Sequence, residues 1–232
     1  MKSVSLVIPC YQSAKSIASL FDRCIEAGKK FPLREIILVD DGSQDETWSE
    51  IQRFKHIEQL RACRLLRNYG EHIALRHGIR LATSDIIITI DDDLQHNPME
   101  IPLLLKKIEE GHNLVYGQYH SNKHSLIRKA MSLWNGWLAT LVHGRPLGLH
   151  LSSFRAIENT LAKKATAVNC NYIDSSLLKQ KPDIGTVKVS HHKSSEIPSR
   201  YSAIRLLTLH TKALGLAPQK ETWVREYLHE PK

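Results

Sequence analysis

Three consecutive carboxylates, Asp91, Asp92 and Asp93, follow the apolar run Ile86-Ile87-Ile88-Thr89-Ile90 and lead into Leu94 and Gln95. Adjacent carboxylates repel one another and hold their protons more tightly unless a cation lies between them, and hard oxygen ligands favour Mg²⁺ or Mn²⁺. A second acidic pair, Asp40 and Asp41, follows Ile36-Ile37-Leu38-Val39. Two acidic turns that each close an apolar run are suited to a cation and a phosphorylated ligand. Acid clusters also occur as plain solvated turns, so their place in the fold decides between the readings.

The elements that must position them can be read from the pattern. Runs of β-branched residues without polar alternation predict strands covered on both faces, as in a parallel sheet, and the acids then emerge at the strands' carboxyl ends, where open α/β sheets bind ligands. Residues 4–8 read as a first strand stopped by Pro9 and the polar Tyr11-Gln12-Ser13, after which Ile17, Leu20, Phe21 and Cys24 recur at helical spacing up to Gly28. Residues 35–39 form a second strand, and Ser43 with Glu46 has the capping-box spacing for a helix carrying Trp48, Ile51 and Phe54. Residues 61–66 predict a short third strand and residues 73–82 a helix with Ala74, Gly78 and Ala82 on one small-residue stripe. Asn97 and Pro98 supply the cap and first residue of a helix carrying Ile101, Leu104, Leu105 and Ile108, ended by Gly111, before a strand over residues 114–117.

This alternation predicts an α/β protein, a mostly parallel central sheet flanked by helices. After residue 118 the pattern turns helical, over residues 123–141, 155–166 and 202–214, with one strand-like stretch at 186–189. No linker separates the parts, so residues 1–118 and 119–232 are expected to share one compact domain.

At 232 residues the chain is long enough for one sizeable core, and 42% hydrophobic with 24% charged residues is a globular composition. Lys and Arg number 32 against 24 Asp and Glu, a net charge of +8, which calls for an anionic partner. Nucleic acid is disfavoured among these, because aromatic residues make up only 6%, do not interleave with the basic ones, and form no recognition motif. Cys10, Cys24, Cys63 and Cys170 are scattered, and no signal-peptide pattern opens the chain, so reduced thiols in a cytoplasmic protein are expected. The 13 histidines include no zinc-like spacing. The most apolar long segment, residues 126–142, is interrupted by Arg128, Lys129 and Asn135 and falls short of the roughly 20 apolar residues of a membrane span.

Together with Val7-Ile8-Pro9-Cys10-Tyr11, the segments Val39-Asp40-Asp41-Gly42-Ser43 and Asn68-Tyr69-Gly70 and the run from Ile90 to Gln95 resemble family 2 glycosyltransferases of the GT-A fold. The longer string Ile90-Asp91-Asp92-Asp93-Leu94-Gln95-His96-Asn97-Pro98, followed by Ile101-Pro102, looks like the branch that uses polyprenyl phosphates such as dolichyl or undecaprenyl phosphate. The resemblance implies a Rossmann-like nucleotide-sugar-binding part over residues 1–118 and a helical, acceptor-binding and membrane-contacting part over 119–232. It implies that Pro9 and Tyr11 line the base and ribose, that Asp41, with Asp40 beside it, bonds the nucleoside, and that Asp91 and Asp92 face the nucleotide. Asp91, Asp93 and Gln95 would hold Mg²⁺ or Mn²⁺ on the donor diphosphate, with Asp91 and Asp93 the catalytic pair.

Arg128, Lys129 and Ser132 sit where the family grips phosphate, and Arg200, in Ser199-Arg200-Tyr201-Ser202, joins them as an acceptor-phosphate candidate. Trp134 and Trp137 on the apolar stripe beside that basic turn suit a helix lying in a membrane interface. Several positions depart from the family pattern: Gln118 replaces an arginine, Ser194-Ser195-Glu196-Ile197-Pro198 replaces a basic run, and His150 stands where an acid often precedes Ser153-Phe154-Arg155.

The activity so implied is metal-dependent, inverting transfer from a nucleotide-diphosphate sugar to a polyprenyl phosphate by a protein peripheral to the cytoplasmic membrane face. A first alternative is transfer to a hydroxyl of a glycan or lipid-linked sugar, which needs a base, with His150 and Asp174 as candidates. The others are a catalytically silent nucleotide-binding relative and a basic nucleic-acid-binding protein.

Overall fold

The computed structural model describes residues 2–119, 149, 151–168, 172–190 and 224–228. The chain runs β1 (Val4–Cys10), α1 (Ile17–Gly28), β2 (Leu33–Asp40), α2 (Thr47–Gln52), β3 (Leu60–Leu65), α3 (Glu71–Leu81), β4 (Ile86–Thr89), a 3-10 turn (Pro98–Glu100) and α4 (Ile101–Glu109). It continues through β5 (Leu114–Tyr119), β6 (Arg155–Glu158), α5 (Asn159–Ala167), α6 (Ile173–Lys179), β7 (Ile184–Val189) and β8 (Val224–Leu228).

The described strands form one sheet in the order β7-β5-β6-β4-β1-β2-β3-β8. β1 pairs in parallel with β2 and β4, β2 with β3, and β5 with β7, whereas β6 runs antiparallel between β4 and β5, and β8 antiparallel to β3. From β1 the chain proceeds outward to β3 and then returns to place β4 on the other side of β1. The strand order therefore reverses between β1 and β4, which opens a crevice at their carboxyl ends.

Alternating strand residues feed two apolar layers, as the two-residue period of a strand requires. Leu6, Ile8, Ile36, Leu38, Ile86 and Ile88 pack with Leu20 and Phe21 of α1, Trp48 and Ile51 of α2 and Leu104 of α4. Val7, Ile37, Val39 and Ile87 face the other way, against Ala74 and Ile79 of α3, Ala162 of α5 and Leu177 of α6. Strands buried on both faces explain the unbroken apolar runs of the sequence.

Three local expectations are corrected. Pro9 lies within β1, opposite Val39, rather than ending it. The Val7 carbonyl accepts from Ile90 N at 3.2 Å, so Pro9, two residues on, turns its missing N–H toward the same side, where the pairing of β4 has already stopped at Thr89. Helix α2 starts at Thr47 without the capping box; the Ser43 hydroxyl accepts instead from Gln12 N at 3.0 Å, and Asp45 takes Thr47 N at 3.1 Å.

Residues 155–166 are not one helix. Arg155–Glu158 is strand β6, and helix α5 follows it. Four residues are too few for a period to separate helix from strand, and pairing to β4 and β5 decides. The helices expected over 123–141 and 202–214 lie outside the described residues, as do Arg128, Lys129, Ser132, His150 and Arg200. Cys10, Cys24 and Cys63 are free and buried. Among the described residues no helix is long and apolar enough to cross a membrane.

The small-residue stripe of α3 presses directly on the sheet. A Cβ at Gly78 would stand 2.5 Å from Val7 Cγ1 and 3.1 Å from Val39 Cγ2. Gly78→Ala gains about 1 kcal/mol of helix propensity but overpacks β-branched neighbours that have no free rotamer, at a cost of about 1–3 kcal/mol. We expect a net fall in Tm by circular dichroism. An unchanged or raised Tm would refute this close contact.

Candidate active site at the carboxyl edge of the sheet

Three loops leave neighbouring strand ends and are tied together at their roots. Asp41 N donates to Cys10 O at 2.8 Å, joining the ends of β1 and β2, and Ile90 N joins the end of β4 to β1. Asp92 turns back toward β1, where its Oδ2 accepts from Tyr11 N at 3.0 Å and from the Ser13 hydroxyl. Asp93 Oδ1 accepts from Gln95 N at 3.0 Å, closing a tight turn through Leu94, whose φ is 62°. Asp91 Oδ2 accepts from the Ser153 hydroxyl, and its backbone N–H points at Nδ1 of the buried His96, 3.4 Å away.

Asp91 keeps 29% of its side chain open to solvent, so the triplet is half-buried and reachable rather than sealed. Burial, then the charge of Glu71, then those of Asp93 and Asp92, push the Asp91 carboxyl well above the usual carboxylate range, against the pull of the Ser153 hydroxyl. Glu71 was not singled out in the sequence. It is the first residue of α3, directly after the Tyr69-Gly70 turn, and the loop that follows β3 in a parallel sheet opens on the same edge as the acids. That position was the available signal.

The second acidic turn is bound inward. Asp40 has no exposed surface, accepts from Ser43 N at 2.9 Å, and pairs with Arg64 Nε at 3.2 Å, while Arg64 Nη2 also donates to Ser43 O at 2.7 Å. These bonds make Asp40 a tie between the turn and β3. Asp41 is 2% exposed, with Oδ1 accepting from Tyr69 N and Oδ2 from Gly70 N, both at 2.8 Å. Burial raises its pKa to about 6, the two N–H bonds pull it down, and the charges of Asp40 and Glu71 push it up. Gly42, at φ 66°, lets the turn approach the next loop, since a Cβ there would meet the Arg67 carbonyl carbon at 2.4 Å.

Behind Asp91 lies a buried ion pair. Arg155 Nη1 donates to Asp174 Oδ1, which also accepts from the Tyr116 hydroxyl at 2.8 Å. Burial opposes the Asp174 charge, but Arg155, with help from His72 and Tyr116, outweighs it and holds the acid below its ordinary range. A carboxylate so engaged is a poor proton acceptor, which corrects its candidacy as a base. A hollow of about 520 Å³ lined by Lys2, Asp85, Glu158 and Lys163 lies at the opposite edge, where β1 and β4 begin, away from all of these acids.

The structure thus brings Tyr11, Asp91, Asp92, Asp93 and Gln95 to one edge, with Pro9 and Asp41 buried at its base. Among the described residues no three acid, thiol or imidazole side chains close into a metal cage. The triplet is instead a partly exposed set of hard oxygen donors, of which Asp92 turns back toward β1.

The sequence profile described as "Glycosyl transferase family 2" matches residues 5–162, and the chain belongs to that family. Similar proteins include the undecaprenyl-phosphate 4-deoxy-4-formamido-L-arabinose transferases of Proteus mirabilis (strain HI4320), 30% identical over 217 residues, and of Photorhabdus laumondii subsp. laumondii, 33% identical over 214 residues. Each match covers 90% of this chain and 66% of the relative, so the chain spans just under two thirds of their length. Among solved structures, glucosyl-3-phosphoglycerate synthase from Mycobacterium tuberculosis, in complex with Mn²⁺, uridine-diphosphate-glucose and phosphoglyceric acid, superposes with a TM-score of 0.66 at 20% identity. That likeness covers 91% of this chain and 77% of the other. The fold is the α/β GT-A fold.

Because each Asp41 oxygen accepts one backbone N–H, Asp41→Asn must turn an amide N–H₂ against the Tyr69 or the Gly70 donor. The orphaned donor costs about 1–3 kcal/mol. A fall in Tm of about 2–4 °C per kcal/mol is expected in thermal unfolding. A variant as stable as the parent would show that the two bonds do not hold the turn.

Proposed function

We propose that this protein is an inverting glycosyltransferase that moves a sugar from a nucleotide-diphosphate donor to a polyprenyl phosphate, with Mg²⁺ or Mn²⁺, while resting on the cytoplasmic face of a membrane. The observation that carries the reading is the open acidic triplet at the strand-order reversal between β1 and β4, tied through Asp92 to the Tyr11 loop. The donor set fits a divalent cation, since its oxygens are hard and partly exposed. Such a cation, when bound, neutralises charge developing on the departing diphosphate.

Asp91, Asp93 and Gln95 would hold the metal, and Tyr11 and Pro9 would border the nucleoside, with Asp41 fixing the neighbouring turn. Asp92 then serves as a strut that sets the Tyr11 backbone relative to the triplet. An acceptor phosphate oxygen attacks the anomeric carbon, the bond to the donor diphosphate breaks, and the nucleoside diphosphate leaves with inversion. A phosphate monoester with a second pKa near about 6 is already a dianion at neutral pH and needs no strong base. The engagement of Asp174 with Arg155 accords with this choice over a hydroxyl acceptor. The names of the relatives, which specify undecaprenyl phosphate, support the same acceptor, and the net charge of +8 suits an anionic surface.

Thermal stabilisation by UDP-, GDP- and dTDP-sugars in Mn²⁺ identifies the donor, a ligand at 100 times its Kd adding about 2.7 kcal/mol. Asp93→Ala should keep the parental fold and lose the Mn²⁺-dependent part of that stabilisation. Undiminished Mn²⁺-dependent affinity in the folded variant would remove Asp93 from the metal site.

Liposome sedimentation should show salt-sensitive binding to anionic vesicles, with sugar transfer to a short-chain polyprenyl phosphate. Absence of vesicle binding at any salt, together with transfer to a soluble glycan, would move the acceptor to a hydroxyl.

A further inference from the structure

The antiparallel strand β6 does something in this sheet that a parallel strand cannot. Parallel strands present their carboxyl ends at the site, whereas β6, reversed between β4 and β5, presents its amino end there. Its register pairs Ile86 with Glu158, Ile87 with Ile157, Ile88 with Ala156 and Thr89 with Arg155. Two residues further along the same register, Ser153 falls opposite Asp91, and its hydroxyl donates to Asp91 Oδ2.

Ser153 is itself held firmly. Its carbonyl accepts from the Thr89 hydroxyl, the last residue of β4. The next carbonyl, of Phe154, accepts from Gly117 N of β5 at 2.8 Å, and Phe154 N donates to the buried Ser152 hydroxyl at 3.1 Å. Arg155 follows, anchored to Asp174, which the Tyr116 hydroxyl of β5 also holds. The serine is therefore clamped from both neighbouring strands and cannot follow Asp91 if that side chain rotates.

We infer that Ser153 is a positioning residue for the metal site: by occupying Oδ2 of Asp91 it fixes the carboxylate's rotamer and leaves Oδ1 as the oxygen available to a cation. This inference rests on the metal-dependent reading given above. A hydroxyl that orients a ligand through one oxygen acts as second-sphere partners of metal ligands do, whose loss typically weakens metal affinity about 10–100-fold. The main-chain ties through the Ser153 and Phe154 carbonyls do not involve the hydroxyl, so removing it leaves the strand in place.

The test uses the full chain and compares wild type, Ser153→Ala, Ser153→Thr and Asp93→Ala. Free Mn²⁺ is titrated by electron paramagnetic resonance, and UDP binding is measured by calorimetry with and without Mn²⁺. Ser153→Ala should lower Mn²⁺ affinity about 10–100-fold, leave Tm and metal-free UDP affinity unchanged, and be restored by Ser153→Thr. If Ser153→Ala does not fold, Ser153→Cys, near in shape and a weak donor, takes its place with the same expected loss. Wild-type Mn²⁺ affinity in the folded variant, with Asp93→Ala defective, overturns the role of Ser153 alone. Equal losses with and without metal, or no recovery in Ser153→Thr, also overturn it. Absence of Mn²⁺ binding by wild type overturns the metal-dependent reading and this inference with it.

Discussion

A sheet covered on both faces leaves its strands a single direction in which to deliver polar chain, along their own axes, because every lateral N–H and C=O is engaged by a neighbour and every side chain meets a helix. In this protein the apolar residues of β1, of β2 from Ile36 on and of β4 are at or close to zero exposure, and the chain turns polar only past Cys10, Val39 and Ile90. The reversal of strand order at β1 then separates two of those exits enough to form a crevice. Loops 11–16 and 91–97 meet across it, and loop 41–46 joins from the far side of β1. The chemistry of the site follows from where the ladders stop.

Gathering so many carboxylates has an electrostatic cost, and each acid is placed by a particular donor. Asp40 is paired with Arg64, while Asp41 accepts from two backbone amides, Asp92 from Tyr11 N and Ser13, Asp93 from Gln95 N and Asp91 from Ser153. These bonds divide the acids into two kinds. Asp40 and Asp41 spend their oxygens within the protein and are buried, whereas the triplet remains partly open, with Glu71 adding to its field. Only the second kind stays partly open to solvent. That difference is invisible in the composition of the two turns and appears only in the burial of their side chains.

What was legible in the sequence was whatever depends on near neighbours. The period of Ile17, Leu20, Phe21 and Cys24, the Asn97-Pro98 start, whose Asn97 side chain accepts from Met99 N at 3.1 Å, and the small stripe of α3 are local facts, and the structure carries all of them. The position of both acidic turns at strand ends was legible for the same reason. What was not legible depends on residues distant in the chain. Ser43 has the spacing of a helix cap, yet Gln12, 31 residues earlier, takes its hydroxyl. Arg155–Glu158 has a helix-compatible composition, yet a gap between β4 and β5 makes it a strand. Ser153 and Glu71 acquire meaning only when β6 and α3 are seen to begin at the same edge.

The inserted strand also bears on how the two parts of the chain are coupled. β5 ends and β6 begins at the site edge, so Tyr119 and Arg155 lie on the same side of the sheet as the acids. A ligand that displaced the start of β6 would pull on Ser153 and through it on Asp91, and would have to work against the Thr89 and Gly117 ties and the Arg155–Asp174 pair. Breaking a buried pair of that kind by removing one partner costs about 3–5 kcal/mol, more than a loop contact returns. The stiff side of the site is therefore the β4–β6 seam, where Ser153 and Asp91 are held in register with the strands behind them.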